Sequence, residues 1–467
     1  MTDRDSLAAR LVRWALGLRP ADVPESARVA ALRHLLDGVG TAVGAARRGA
    51  GAPAVRVAAD LGGPPEATLL GHPVRVGAPA AALGNGTLVH ALDFDDTHAG
   101  GLVHATAMVL PATFAVGEQV DADGEELLLA AVAGYEVACR LAAAVPHAFH
   151  ARGLHATPVC GVFSAATVAG RLMGLDEAAC VDALGIAGSQ AGGLLEFLAT
   201  GAVTKQLHPG FAGHAGILAA RLAAAGATGP ASVLEGRYGL YAALLGRQVD
   251  PDQVADGLGA RWEVERITIK PYPACQLLHV TLDATAAAMA AGPWTTSDLS
   301  QLSAVTALVH PDSDAIVCRP WADKLTPRTP YDAKFSLPWS VAAMLVDGQV
   351  EVASYGDDSI ARPRVRQVAA KVSVTVRDSG GVAADAPGHV ELHLADGRVL
   401  TGTVPRSTGG PGRPLSDAAL DGKFLANCEG AAGATDVLRR VRALSREQSA
   451  RDLLAAVGNL TRGDETR

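Results

Sequence analysis

The sequence predicts a mainly α-helical protein: a large all-helical domain made of both chain ends, with a smaller α+β domain inserted between them. Three observations carry this reading. The 467-residue chain is 49 % apolar but only 4 % aromatic, and alanine dominates its apolar stretches. Alanine loses no side-chain entropy in a helix, so such stretches favour that state. Apolar residues then recur at helical spacing up to about residue 262, where alternating runs take over.

Taken in order, Ser6 can cap a first helix carrying Leu7, Leu11, Trp14 and Leu18 on one face. Pro24-Glu25-Ser26 opens a second, with Val29, Leu32, Leu36 and Val39 as its stripe. Further helical patterns cover roughly 77–96, 109–119, 124–145, 158–173, 176–188 and 212–225, punctuated by glycine and proline. Glu263 to Ile269 alternates like a strand, and Ser303 to His310 and Val372 to Val376 have similar character. Val390 to Leu394 meets Arg398 to Thr401 across Ala395-Asp396-Gly397, a good hairpin signal. Helical segments at about 275–291 and 334–347 lie between these strands, and a Gly/Pro-rich linker runs from Ser407 to Pro414. The expected domains are therefore 1–262 with 405–467, helical, and 263–404, α+β.

Several classes are disfavoured. A formal net charge of −8 argues against nucleic acid as a partner, although it leaves room for a local cationic pocket. The most apolar stretch, Leu127 to Tyr135, stops at Glu136 and is too short to span a bilayer, so no membrane association is expected. The Met1-Thr2-Asp3-Arg4-Asp5 start shows no signal-peptide pattern. The cysteines at 139, 160, 180, 275, 318 and 428 form no CxxC pair, which fits a reducing cytoplasm.

Four clusters could carry chemistry. In the first, a helix would put Asp93 and Thr97 on one face, with Asp96 near Asp93 and Asp95 pointing elsewhere. Gly100-Gly101 then breaks the helix and delivers His104 on a loop. A carboxylate, a hydroxyl and an imidazole gathered this way suit proton transfer; a solvated, capped helix end is the plain alternative. Asp-x-Asp-Asp also has hard-ligand character, but no second metal motif accompanies it, so no metal is expected. The second cluster is Gly153-Leu154-His155-Ala156-Thr157, followed by Gly188-Ser189-Gln190-Ala191-Gly192-Gly193, where glycine admits either a ligand or a neighbouring helix. In the third, Pro209 fits the first turn of a helix, which sets Lys205 and His208 just before an anion-attracting N-terminus. In the fourth, Lys270 ends a strand, two prolines delay the helix until Cys275, and His279 follows one turn on. Cysteine at a helix start can have a lowered pKa, but a buried structural role is the alternative.

These clusters, as HALDFDDTH with His104, GLHATPVCG, GSQAGGLLEF, TKQLHPGFAGHAG and KPYPACQLLH, together with AKFSLPW (Ala333 to Trp339) and Lys423-Phe424, resemble the MmgE/PrpD family. That family includes 2-methylcitrate dehydratase and cis-aconitate decarboxylase. The resemblance implies a helical domain from both chain ends, an inserted α+β lid, an active site between them and a homodimer. It carries pocket roles onto Asp93, Thr97, His104, His155, Lys205, Lys270 and Cys275, with His208, His279 and Trp339 expected as further substrate contacts. Three departures bear on substrate choice. Cys275 stands where cis-aconitate decarboxylases carry histidine, Ala105 where proline is usual, and Trp339 where tyrosine is common.

The expected function is a cofactor-independent lyase, a dehydratase such as the 2-methylcitrate enzyme or a decarboxylase, acting on a small di- or tricarboxylate. Lys205 and Lys270 would clamp carboxylates and stabilise the enediolate formed when an alpha proton leaves. His104 or His155 would be the base, with Asp93 orienting an imidazole or handling the leaving hydroxyl. An isomerase, epimerase or tailoring enzyme with the same proton chemistry, and a non-catalytic binding protein on this fold, are the alternatives.

Overall fold

The computed structural model describes residues 5–292 and 294–461. The chain divides into two compact units. The first runs to Leu195, resumes over Thr204–Ile267 and returns from Ser416. The second comprises Glu196–Val203 and Thr268–Leu415.

In the first unit, α1 (Leu7–Gly17) starts where the Ser6 hydroxyl accepts the Ala9 N–H at 3.2 Å. Helix α2 (Glu25–Arg47) follows, buried without interruption from His34 to Ala45. The centre is built from α3 (Ala78–Ala91), α4 (Ala105–Val120), α5 (Gly124–Ala143), α6 (Ala156–Leu172), α7 (Glu177–Gly188) and α8 (Thr204–Ala224). Helices α3, α4 and α6 are buried on nearly every face, so no polar stripe marks an outer side. Small residues let these helices touch. A Cβ on Gly210 of α8 would lie 2.3 Å from the Leu83 carbonyl of α3, and one on Gly216 would lie 2.7 Å from the Val162 carbonyl of α6.

Three local expectations are corrected. Helix α3 ends at Ala91 rather than near 96, because Asp93 adopts a left-handed conformation with φ of 52°. Asp93 and Thr97 therefore do not share a helix face; Thr97–His98 is a short strand. Helix α8 starts at Thr204, so Lys205 and His208 lie on its first turns and Pro209 lies inside it. Proline there forgoes only the bond to the Lys205 carbonyl one turn back. The Glu263–Ile269 run is mostly a 3-10 turn, Glu263–Arg266. Glu263 and Val264 are both buried there, which strand alternation does not allow: Glu263 pairs with His98 at 2.9 Å, and its N–H donates to Glu136 at 2.6 Å.

The second unit holds a four-stranded sheet of β1 (Leu302–Val309), β2 (Val372–Val376), β3 (Gly388–Leu394) and β4 (Val399–Val404), in spatial order β2-β1-β3-β4. Strands β1 and β2 are parallel, with Val305 opposite Val372; the other pairs are antiparallel, with Glu391 of β3 opposite Thr306 and Thr401. Val390, Leu392 and Leu394 of β3 point inward, as strand alternation requires. Helix α9 (Gln276–Ala290) covers the sheet, coming so close that a Cβ on Gly402 would lie 2.0 Å from the Ala284 carbonyl. Helix α10 (Leu337–Asp347) packs beside it, capped by the Ser336 hydroxyl. The segment Glu196–Val203, read from sequence as part of the helical domain, belongs here: the rings of Phe197 and Phe335 are 6.0 Å apart.

The last helices complete the first unit. The closest, α11 (Asp417–Cys428), lies on α2, where Phe424 fills the space above Gly40 and Asn427 that above Gly44.

Candidate active site

The segment from His90 to His104 links α3 to α4, and its polar side chains point inward. Asp93, Asp95, Asp96, Thr97 and His104 are all buried. Buried carboxylates are tolerated only with partners, and each aspartate here has a different one. Asp96 anchors the segment. It faces His34 Nδ1 at 2.8 Å and accepts the Thr106 N–H at 3.0 Å and the Thr106 hydroxyl. Burial raises the pKa of this carboxyl, but the bonds from His34 and Thr106 outweigh that and hold it below its ordinary value. A second anchor comes from α11. Lys423 Nζ donates to the Phe94 carbonyl at 2.7 Å, pairs with Asp37 at 2.7 Å and sits 3.8 Å above the Phe94 ring. Burial pushes the Asp37 carboxyl up to about 6 despite that lysine.

Held between these anchors, the remaining groups converge. Asp93 Oδ1 lies 3.2 Å from Lys205 Nζ. Asp95 Oδ2 lies 2.7 Å from His90 Nδ1 and 3.9 Å from His104 Nδ1. The His90 ring is centred 4.6 Å from His104 and 5.8 Å from His155. His155 Nδ1 meets His208 Nδ1 at 3.0 Å. His104 occupies the N-cap position of α4, and its Nδ1 is 2.8 Å from the Asp96 carbonyl and 3.1 Å from the Thr97 hydroxyl. A carbonyl only accepts, so Nδ1 of that ring carries a proton.

Burial lowers the pKa of His155 far below its ordinary value, depresses that of His90, and brings His208 to about 4. The Lys205 ammonium pushes all three further in the same direction. At neutral pH these imidazoles are uncharged, and they take a proton only when negative charge enters the site. A cavity of about 210 Å³ lined by Pro158, Gln190, Gly192, Gly193, Phe211 and Ala212 opens beside His208. Gly193 lies over this pair, its carbonyl accepting the His155 N–H at 2.9 Å.

Ring nitrogens of His90, His104 and His155 lie within 4.8 Å of one another, close enough to be considered for a metal ion. The fixed ammonium of Lys205 opposes a second cation there, just as it opposes protonation of His90 and His155. The acidic run offers no shared carboxylate set either, because Asp93, Asp95 and Asp96 turn to Lys205, His90 and His34 respectively.

The other candidates lie in the second unit. Lys270 is fully buried. Cys275 is half-buried at the N-cap of α9, its N–H donating to the Lys334 carbonyl at 3.0 Å. His279 is buried, with Nε2 3.0 Å from the Ala274 carbonyl and its ring against Tyr272. Trp339 is buried in the first turn of α10 and packs on Tyr355 at 5.4 Å. Lys334 tethers this segment, donating to the Pro273 carbonyl at 2.7 Å.

Comparison with known proteins gives two matches that together span most of the chain: the MmgE/PrpD N-terminal domain over residues 9–252 and the MmgE/PrpD C-terminal domain over 272–446. The chain belongs to the MmgE/PrpD family. Among its relatives in that family is a cis-aconitate decarboxylase of Aspergillus terreus (strain NIH 2624 / FGSC A1156), 29 % identical over 425 residues, covering 87 % of this chain and 86 % of that protein. The Homo sapiens cis-aconitate decarboxylase is 31 % identical over 381 residues, covering 77 % and 75 %. The Mus musculus enzyme of the same name is 30 % identical over 375 residues, covering 77 % and 74 %.

Within this MmgE/PrpD chain, the structure brings Asp93, Thr97, His104, His155, Lys205 and His208 together in the first unit; Lys270, Cys275, His279 and Trp339 lie in the second. Sequence reasoning gave no site role to His90, Asp95, His34 or Lys423, although His90, Asp95 and Lys423 stood in its motifs. The pair His90 and Asp95 is five residues apart across a helix end, a spacing that no helical or strand periodicity flags. His34 and Lys423 reach the site from α2 and α11, and only tertiary structure shows that.

Proposed function

We propose that this chain is a lyase acting on a small di- or tricarboxylate, and that decarboxylation of cis-aconitate or a close analogue is its reaction. The observation that carries this is Lys205, a buried cation beside Asp93 among imidazoles that burial keeps uncharged. Such a site offers a fixed positive pole for a carboxylate and neutral bases for a proton. The cis-aconitate decarboxylases among its relatives favour loss of CO₂.

In that reaction the bond between carbon and the departing carboxylate breaks. Its electron pair passes into a carbanion delocalised onto a remaining carboxylate, and Lys205 stabilises the developing charge. An imidazolium then gives its proton to carbon, and His104 or His155 holds it. Entry of an anionic substrate supplies the negative charge that favours a proton within this imidazole cluster. Lys270 is retained as the second carboxylate-binding lysine, and Cys275, Thr97, His208, His279 and Trp339 as residues that shape substrate choice. No metal takes part, so prolonged EDTA treatment leaves turnover unchanged; loss of activity restored by Mg²⁺ or Zn²⁺ would overturn that statement. The protein is taken to work as a cytoplasmic homodimer on the strength of the family resemblance, and light scattering on purified protein tests the dimer.

Cys275 supports a second reading. Decarboxylases of this family carry histidine there, so dehydration of a 2-methylcitrate-type substrate through the same enediolate is the competing reaction. Incubating the protein with cis-aconitate, 2-methylcitrate, citrate and imino-dicarboxylates separates them. CO₂ released from cis-aconitate supports the first reading. Water lost from 2-methylcitrate without CO₂ supports the second, and turnover of none of these overturns the lyase assignment.

A further inference from the structure

We propose that His90 and Asp95 form a proton-holding dyad that takes up a proton when a polycarboxylate binds and acts through His104 and His155. The inference rests on the lyase reading and adds residues to it. His90 is fully buried near the end of α3, and its Nδ1 lies 2.7 Å from Asp95 Oδ2. The far atoms of this pair are orphaned: among the described residues, neither His90 Nε2 nor Asp95 Oδ1 has a hydrogen-bond partner, and both are buried. Buried polar atoms are nearly always satisfied, so two orphans at opposite ends of one short bond call for a reason.

Holding the loop in place is not that reason. Asp96 and Lys423 do so, through His34, Thr106, Asp37 and the Phe94 carbonyl. Asp95 instead turns toward imidazoles. A carboxylate only accepts, so it fixes the His90 proton on Nδ1 and leaves the lone pair on Nε2. The ring carrying that lone pair is centred 4.6 Å from His104 and stacks at 5.8 Å on His155. His155 Nε2 is likewise buried without a partner among the described residues.

The charged and titratable groups around His90 are Asp95 and Asp93 from its own loop, Lys205 and His208 from α8, and His104 and His155 at the starts of α4 and α6. In the empty protein, burial and Lys205 keep His90 neutral. A bound polycarboxylate offsets the Lys205 charge, and Asp95 then stabilises the imidazolium. The step moves one proton from solvent to His90 Nε2, and no other bond changes. His90 is thus a positioning residue and proton reservoir, whereas His104 and His155 are assigned to the reacting atoms.

The test uses Asp95→Asn and His90→Gln, with citrate as the probe. Titration calorimetry at pH 8 in two buffers of different ionisation enthalpy reads the protons taken up on binding. The wild type should take up about one proton, and both variants should lose that uptake while binding within a few-fold of wild type. In turnover, both should lose at least tenfold in kcat with little change in KM, and the acid limb of the pH–rate profile should move. Uptake and pH profile unchanged in both variants would overturn the dyad, as would a variant whose whole loss follows from a lower melting temperature. Should no polycarboxylate bind the wild type, the lyase reading falls. Nitrogen-15 spectra of the ligand-free His90 ring then decide the dyad on their own. A proton on Nδ1 that Asp95→Asn displaces or destabilises supports it, and a proton on Nε2 overturns it.

Discussion

Lys205 is the residue on which the electrostatics of the site turn. Its ammonium faces Asp93 and lowers the proton affinity of His90, His155 and His208. From sequence alone, replacing it with methionine should leave folding intact, as for any cleft charge. The geometry says otherwise, because the substitution removes a cation facing a buried carboxylate. Lys205→Met should therefore lower kcat/KM at least tenfold, about 1.4 kcal/mol, and lower stability by about 3 kcal/mol. Adding Asp93→Asn should recover much of the stability and none of the activity. Kinetics beside a denaturation curve read both, and a single variant as stable as wild type would count against the buried pair. The motif text made Asp93, His104, His155 and Lys205 legible. It did not disclose that Asp95, rather than Asp96, faces His90 and His104, because that depends on the left-handed turn at Asp93.

Among the elements, the crossing of α3 and α8 matters most, since it carries His90 on one side and Lys205 and His208 on the other. It is as close as it is because Gly86 and Gly210 meet without side chains. Gly210→Ala would drive a methyl group toward the Leu83 carbonyl, and backbone cannot yield as a flexible side chain can. Overpacking of this kind costs about 1–3 kcal/mol, and spreading the two helices should also reduce kcat. An alanine variant with wild-type melting and turnover would show that the crossing tolerates more than its geometry indicates. Elements with a strong local signal were readable: the Asp-Gly hairpin, the long Ala-rich helices, and the Cys275 start of α9. Those set by tertiary contacts were not. The strand-like run at Glu263 folds as a turn that buries both Glu263 and Val264, Pro209 falsely marked a helix start, and the Glu196–Val203 segment left its neighbours for the second unit.

At the level of the whole molecule, buried titratable groups make stability depend on pH with opposite signs. His208 titrates at about 4 in the fold, and an unfolded histidine at about 6.5. Below that value the unfolded chain takes up a proton that the fold refuses, so this group costs about 2 kcal/mol at pH 5. Asp37, pushed up to about 6, does the reverse: as pH falls from 6 toward about 4 the fold holds a proton that the unfolded chain does not. Between pH 7 and pH 5, His208→Gln should gain about 2 kcal/mol on wild type and Asp37→Asn should lose about 1 kcal/mol. Denaturation curves at the two pH values check this, and parallel wild-type and variant profiles would contradict it. This buried cluster is proposed to move a proton to or from a carbon beside a carboxylate. Turnover of cis-aconitate in D₂O, followed by NMR, tests it most directly. Solvent deuterium is expected on the product carbon next to a carboxylate, with turnover and deuterium both lost in His104→Gln or in His155→Gln. Wild-type turnover and labelling in both variants would contradict it.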